Sequence, residues 1–173
     1  MIVTSDHGEA LWEHLEFDVE HFDGTGCVDH GGAPYEELAR VPLLTNADWD
    51  LKDGVSLVDL APTLLDVVGI EGPEMSGYPL RRTVPSDRMP IVEGSLNSFE
   101  KKAIYRGKYK LIVSKGDDVE AGFQIPEERH EEPDDEEPWS GMRSALPPWP
   151  DGNFMTTDVS EVVEERLDTL GYR

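Results

Sequence analysis

Ile2-Val3-Thr4 reads as a short buried strand that stops at Ser5-Asp6-His7-Gly8. A strand ending this way delivers an adjacent carboxylate and imidazole to its C-terminal end, where α/β sheets bind ligands. A carboxylate oxygen beside an imidazole nitrogen suits zinc or manganese, or calcium when more oxygens join. Gly8 lets the backbone turn away at once. Taken alone, the same tetrapeptide is also a plain turn with a capping aspartate. His30-Gly31 is a second candidate: a surface-loop histidine, or a charge-stabilising or second-metal residue folded back over the site. His14 and His21 lie in the same polar stretch and read mainly as solvent histidines. Pro34-Tyr35-Glu36-Glu37, then Arg40-Val41-Pro42, is a polar turn leading into a strand, or the floor of an anion site. Arg40 pairs locally with Glu36 or Glu37 at helical spacing. It is the sole cation before Lys52, so no cationic clamp for an anion comes from here.

The elements that must hold these residues are legible in part. Residues 9–34 read as a long loop over the site. Glu36 to Ala39 reads as a helical turn before the strand Val41-Pro42-Leu43-Leu44. Asp59 caps a helix that runs to Val68 and stops at Gly69, with Pro62 tolerated in its first turn. Leu60, Leu64, Val67 and Val68 form its buried stripe. Strands follow at Met89-Pro90-Ile91-Val92, Lys102-Ala103-Ile104-Tyr105 and Tyr109-Lys110-Leu111-Ile112-Val113. The turn Arg106-Gly107-Lys108 makes the last two an antiparallel hairpin. Residues 116–137 hold eleven acids and one base and read, with the prolines that follow, as a solvated, mobile insertion over 116–150. A terminal helix over 158–170 is capped by Asp158 and stopped by Gly171.

The chain has 173 residues, 15 Lys and Arg against 37 Asp and Glu, and a net charge of −22. Such a chain repels phosphates instead of releasing counterions from them, so no nucleic acid is expected as a partner. The one basic segment, Lys101, Lys102, Arg106, Lys108 and Lys110, alternates like a strand. No apolar run is long enough for a membrane span. With no signal segment at the N-terminus, the expected compartment is the cytoplasm. The single cysteine, Cys27, excludes an internal disulfide and any multi-cysteine zinc module. The acid excess reads as a surface adapted to multimolar salt, as in proteins of salt-loving archaea.

The order of the blocks carries a resemblance. Thr-Ser-Asp-His-Gly-Glu, then His-Gly, then Tyr-Glu-Glu-x-x-Arg-Val-Pro-Leu, then Val-Ser-Leu-Val-Asp-Leu-Ala-Pro-Thr-Leu-Leu-Asp-Val-Val-Gly-Ile resembles the C-terminal half of sulfatases, in the alkaline phosphatase-like superfamily. The likeness covers roughly residues 1–80 and continues more faintly through Ile104 to Ile112 and Glu165 to Tyr172. It implies an α/β fold: the C-terminal part of a mixed, mostly parallel sheet sandwiched by helices over residues 1–85, with the N-terminal half missing. Residues 86–173 would be a small antiparallel sheet subdomain with the acidic insertion and terminal helix. By resemblance, Asp6 and His7 are metal ligands, for calcium most readily. His30 is catalytic, stabilising or protonating an oxygen near the sulfate.

The resemblance also implies a small-molecule or carbohydrate sulfate ester as substrate and a formylglycine nucleophile made from Cys/Ser-x-Pro-x-Arg. No such motif exists in these 173 residues. Cys27 is followed by Val28-Asp29-His30, and Thr83-Val84-Pro85-Ser86-Asp87-Arg88 places its arginine one position too far and reads as a turn. The expectation is therefore a C-terminal fragment whose partner is the missing N-terminal half, inactive by itself. Phosphodiesterases, phosphonate hydrolases and phosphoethanolamine transferases of the same superfamily are the alternative, with zinc or manganese. A non-catalytic acidic remnant is the third reading. The charge generates one prediction. Circular dichroism across potassium chloride concentrations should show folded signal lost on dilution, and equal or greater structure at low salt would contradict the halophilic reading.

Overall fold

The computed structural model of the chain describes residues 1–22, 28–47, 49, 51, 54–94, 100–116 and 119–149. Its elements run β1 (Ile2–Thr4), β2 (Ala10–Leu11), α1 (Leu15–His21), β3 (Val28–Asp29), α2 (Glu36–Ala39), β4 (Leu43–Thr45), α3 (Leu60–Val68), β5 (Ile91–Gly94), β6 (Lys101–Arg106), β7 (Tyr109–Ser114), β8 (Val119–Gln124), β9 (Arg129–Glu131) and α4 (Trp139–Ala145). The described strands pair antiparallel: β1 with β4, β2 with β3, and a five-stranded sheet in the order β5-β6-β7-β8-β9. The α/β class and the antiparallel C-terminal sheet agree with the sequence reading. The terminal helix expected over 158–170, and Cys27, lie outside the described residues.

The sheet is covered on both faces, because side chains alternate along each strand. Ala103, Ile112, Ala121 and Phe123 face the N-terminal segment and pack with Ala10, Ala33, Tyr35 and Leu38. Ile104, Leu111 and Val113 point the other way and pack with Trp139 and Met142 of α4. Each such aliphatic residue, fully buried, contributes about 2 kcal/mol. Gly122 makes room for the second layer: a Cβ there would lie 2.8 Å from the Trp139 ring and 2.4 Å from the Glu131 carbonyl oxygen.

Two sequence expectations are corrected here. Residues 116–150 are not a solvated insertion: they contribute β8, β9 and α4, and Phe123, Trp139 and Met142 are buried. The acids of β8 and the following turn sit on exposed or ion-paired positions while Ala121 and Phe123 face inward. Residues 9–34 are likewise not one long loop, since β2, α1 and β3 lie within them. The basic segment Lys101–Lys110 lies in β6 and β7, as its strand-like alternation predicts. Lys101, Lys102 and Lys110 are buried. Lys102 Nζ reaches Glu93 at 2.8 Å and the Pro148 carbonyl at 3.0 Å, and lies over the Trp149 ring. Their stems cross apolar ground and each head needs a partner inside the fold.

Helix α3 corrects a third. It ends at Gly69 as expected, in the left-handed conformation. Asp59 is its N-cap residue, as expected, and is fully buried at the end of a 3₁₀ turn, Leu57–Asp59. The Asp59 carboxylate accepts from the backbone N–H of Ser56 and Tyr78, both at 2.8 Å, and pairs with Arg88 at 2.7 Å. Thr63 is buried beside it, and its hydroxyl accepts from the Leu80 N–H at 2.8 Å. These polar groups bind the 77–88 segment, where Ser86-Asp87 is the expected turn. The apolar stripe points the other way: Leu64 is 51% exposed, Val67 50% and Val68 62%. Among the described residues no helix is long and apolar enough to cross a membrane.

Candidate functional site

β1 pairs with β4 in the register Val3↔Leu44 and then releases the chain at Ser5. The next four residues are held by α2. Gly8 N–H donates to the Leu38 carbonyl and Glu9 N–H to the Glu37 carbonyl, each at 2.9 Å. A Cβ on Gly8 would sit 1.7 Å from the Glu37 carbonyl oxygen. Glycine is therefore required here by close approach of two backbones, not by the turn the sequence reading invoked.

Asp6 and His7 project from this clamped segment into solvent, with side chains 89% and 44% exposed. His7 Nδ1–H donates to the Gly8 carbonyl at 2.7 Å. A carbonyl cannot donate, so the proton belongs on Nδ1 and the lone pair of the neutral ring on Nε2. Asp6 Oδ1 accepts the His7 N–H at 3.1 Å. Hydrogen bonds from the Asp6 and His7 backbone amides hold the Asp6 carboxyl below the usual aspartate range. An anionic oxygen and a free imidazole nitrogen thus stand side by side, with His7 Nε2 3.9 Å from Asp6 Oδ1.

His30 joins them from far along the chain. The β2–β3 ladder, with Ala10 opposite Asp29, brings the following turn back over the strand end. Asp29 takes a positive φ of 60° there, and the His30 ring stacks on His7 with centroids 4.6 Å apart. One ligand atom from each of His7, Glu9 and His30 falls within a 4.8 Å cluster. Sequence reasoning passed over Glu9 as a donor, although its place two residues after His7 was the available signal.

His14 and His21 are not solvent histidines. His21 packs on Phe17, with ring centroids 4.2 Å apart. His14 is mostly buried, stacks on Tyr35 at 3.9 Å, and lies between Glu37 and Glu128 at 2.9 and 3.1 Å. Burial opposes the charge on His14, but those two carboxylates outweigh it and hold its pKa above the usual histidine value. Burial likewise pushes Glu128 up, and His14 and Lys110 outweigh it and hold the carboxyl below its ordinary range. Arg40 pairs with Glu36 at 3.6 Å, as its spacing predicted.

No family model matches the chain. Arylsulfatase K of Bos taurus is 38% identical over 86 residues, which are 46% of this chain and 14% of that protein. Arylsulfatase K of Homo sapiens matches at the same identity over the same shares. The uncharacterized sulfatase YidJ of Escherichia coli strain K12 is 30% identical over 79 residues, 43% of this chain and 14% of its own length. Over less than half of its length, then, the chain is similar to sulfatases. The crystal structure of a putative sulfatase from Bacteroides thetaiotaomicron superposes on this chain with a TM-score of 0.50, covering 99% of this chain and 35% of the other. At 18% identity that likeness is one of fold. The chain spans a small part of the length of the curated relatives it matches. The Gly8 clamp generates a prediction for it. Gly8→Ala should lower stability by about 3 kcal/mol in urea denaturation, because a backbone carbonyl must move aside. A loss of a few tenths would mean that α2 does not hold the strand end.

Proposed function

We propose that this chain supplies the metal-binding and imidazole side of a sulfate-ester hydrolase. The observation that supports this most is the Asp6–His7 pair at the strand end. Its carboxylate stays ionised, and its imidazole is locked with Nε2 free for a ligand. That donor chemistry fits a divalent cation, and an outer hydrogen bond on the ligating ring is the usual way to fix such a histidine. The ion proposed is calcium, with zinc or manganese if the ester is a phosphate. Asp6 and His7 would hold it; His7 also shares a 4.8 Å cluster of ligand atoms with Glu9 and His30, a set that leaves Asp6 outside. A divalent cation there would act as a Lewis acid on an ester oxygen.

The other roles belong to residues of this chain. Asp6 supplies negative charge at an exposed position that a substrate can reach. The Gly8 carbonyl fixes the His7 tautomer. His30, stacked on His7, is placed to give a proton to an oxygen of the ester or to stabilise charge on it. The nucleophile is proposed to come from outside these 173 residues, as a formylglycine, since no hydroxyl or thiol here fits that motif. The exposed apolar side chains support a covering partner of the same fold family. Val3 and Leu44 on the β1–β4 ladder are 50% and 58% exposed, as is the stripe of α3 at Leu64, Val67 and Val68.

The chain alone should not hydrolyse an aryl sulfate with calcium, zinc or manganese present, because loss of a nucleophile costs orders of magnitude in rate. Co-expression with a sulfatase N-terminal half carrying matured formylglycine should give turnover of an aryl sulfate, and Asp6→Ala should remove it. Turnover by the purified chain alone that disappears in Asp6→Ala would place the nucleophile inside it. Turnover in the complemented enzyme that survives Asp6→Ala would overturn the assignment of the site.

A further inference from the structure

A second group of donors meets where the N-terminal segment lies on the sheet. His14 directly precedes α1, Glu37 belongs to α2, and Glu128 lies in the turn between β8 and β9. One ligand atom from each falls within 4.8 Å of the others. The Glu128 side chain is 4% exposed, and those of His14 and Glu37 are 20% and 26%.

Hydrogen bonding alone does not satisfy this group. Among the described residues neither Glu37 Oε2 nor Glu128 Oε2 receives a hydrogen bond, and both atoms are buried. The imidazolium Nε2 carries one hydrogen, and its bond goes to Glu37 Oε1 at 2.9 Å. Glu128 Oε2 lies 3.1 Å from the same nitrogen with no hydrogen of its own to accept. One N–H shared between two oxygens serves each only weakly, whereas a cation attracts lone pairs from every side. The donors are also held in place. Tyr35 stacks on the His14 ring, and Lys110 Nζ donates to Glu128 Oε1 at 2.5 Å, which leaves Oε2 toward the histidine. Outer contacts of this kind orient metal ligands.

We propose that His14, Glu37 and Glu128 form a transition-metal site, for zinc or manganese. One imidazole and two carboxylates suit those ions, and the set has too few oxygens for calcium. Three protein ligands leave a further position for water or a small anion. The ligands come from three segments far apart in sequence, so the ion would fasten the N-terminal segment to the sheet. Binding to the folded state alone would raise the melting temperature.

Calorimetric titration of the metal-stripped full chain with zinc tests this. The Asp6→Ala, His7→Ala double variant should keep one tight zinc per chain. In that background His14→Ala, and separately Glu128→Gln, should weaken binding about tenfold or more. No stoichiometric zinc in the double variant, or zinc binding there unchanged by His14→Ala, would overturn the proposal. If the added changes unfold the chain, cobalt titrated into the double variant decides the matter. The visible bands of low-coordinate cobalt, bleached by zinc, are expected, and the weak spectrum of the hydrated ion would overturn it.

Discussion

The carbonyls and carboxylates of one helical turn, Glu36–Ala39, tie the candidate site to the rest of the chain. A helix this short has no internal partner for most of its polar backbone groups. The strand end takes two of them: the Leu38 and Glu37 carbonyls accept from Gly8 and Glu9. On its other side the turn grips the sheet. Glu36 Oε1 accepts from the Tyr105 hydroxyl at 2.9 Å and lies 3.3 Å from Lys110 Nζ. Burial, and then the Glu36 charge, push the Tyr105 hydroxyl up, so it remains a donor at any pH of interest. Asp6 and His7 can stand exposed in solvent and still be fixed, because the backbone beneath them is bonded to an element that is itself bonded to the sheet.

Charge is distributed differently from what the net value suggests. Three of the five described lysines are buried and spent on internal partners. Lys110 serves Glu36 and Glu128, and Lys102 serves Glu93 and two carbonyls. Breaking one side of such a buried pair typically costs about 3–5 kcal/mol, because the remaining charge is stranded. The surface is therefore left with even fewer cations against its acids than the composition implies. The same economy explains Asp59 and Arg88, where a buried pair holds the 77–88 segment against α3.

What the sequence shows plainly is local. The Gly107-Lys108 hairpin, the α2 turn, the Gly69 stop and the Asp6–His7 strand end are set by neighbours within a few residues, and each is where the pattern puts it. What it hides depends on distant partners. His14 looks like any polar-loop histidine until Glu128, more than a hundred residues on, closes over it. Net acidity masks β8, yet Ala121 and Phe123 alternate with exposed or small residues as a strand should. The α3 stripe has the right period for a buried face, but period says only that a face exists. Asp59 and Thr63 took the inward side because the 77–88 backbone offers them hydrogen bonds.

The central claim is that docking of α2 on the sheet through Glu36 holds the site strand in place. Amide hydrogen exchange in Glu36→Ala, set against the unaltered chain, measures it residue by residue. The amides of Gly8 and Glu9 should lose protection while those of the β6–β7 ladder keep theirs. Unchanged protection at Gly8 and Glu9 would contradict the account, because the strand end would then be held without the sheet.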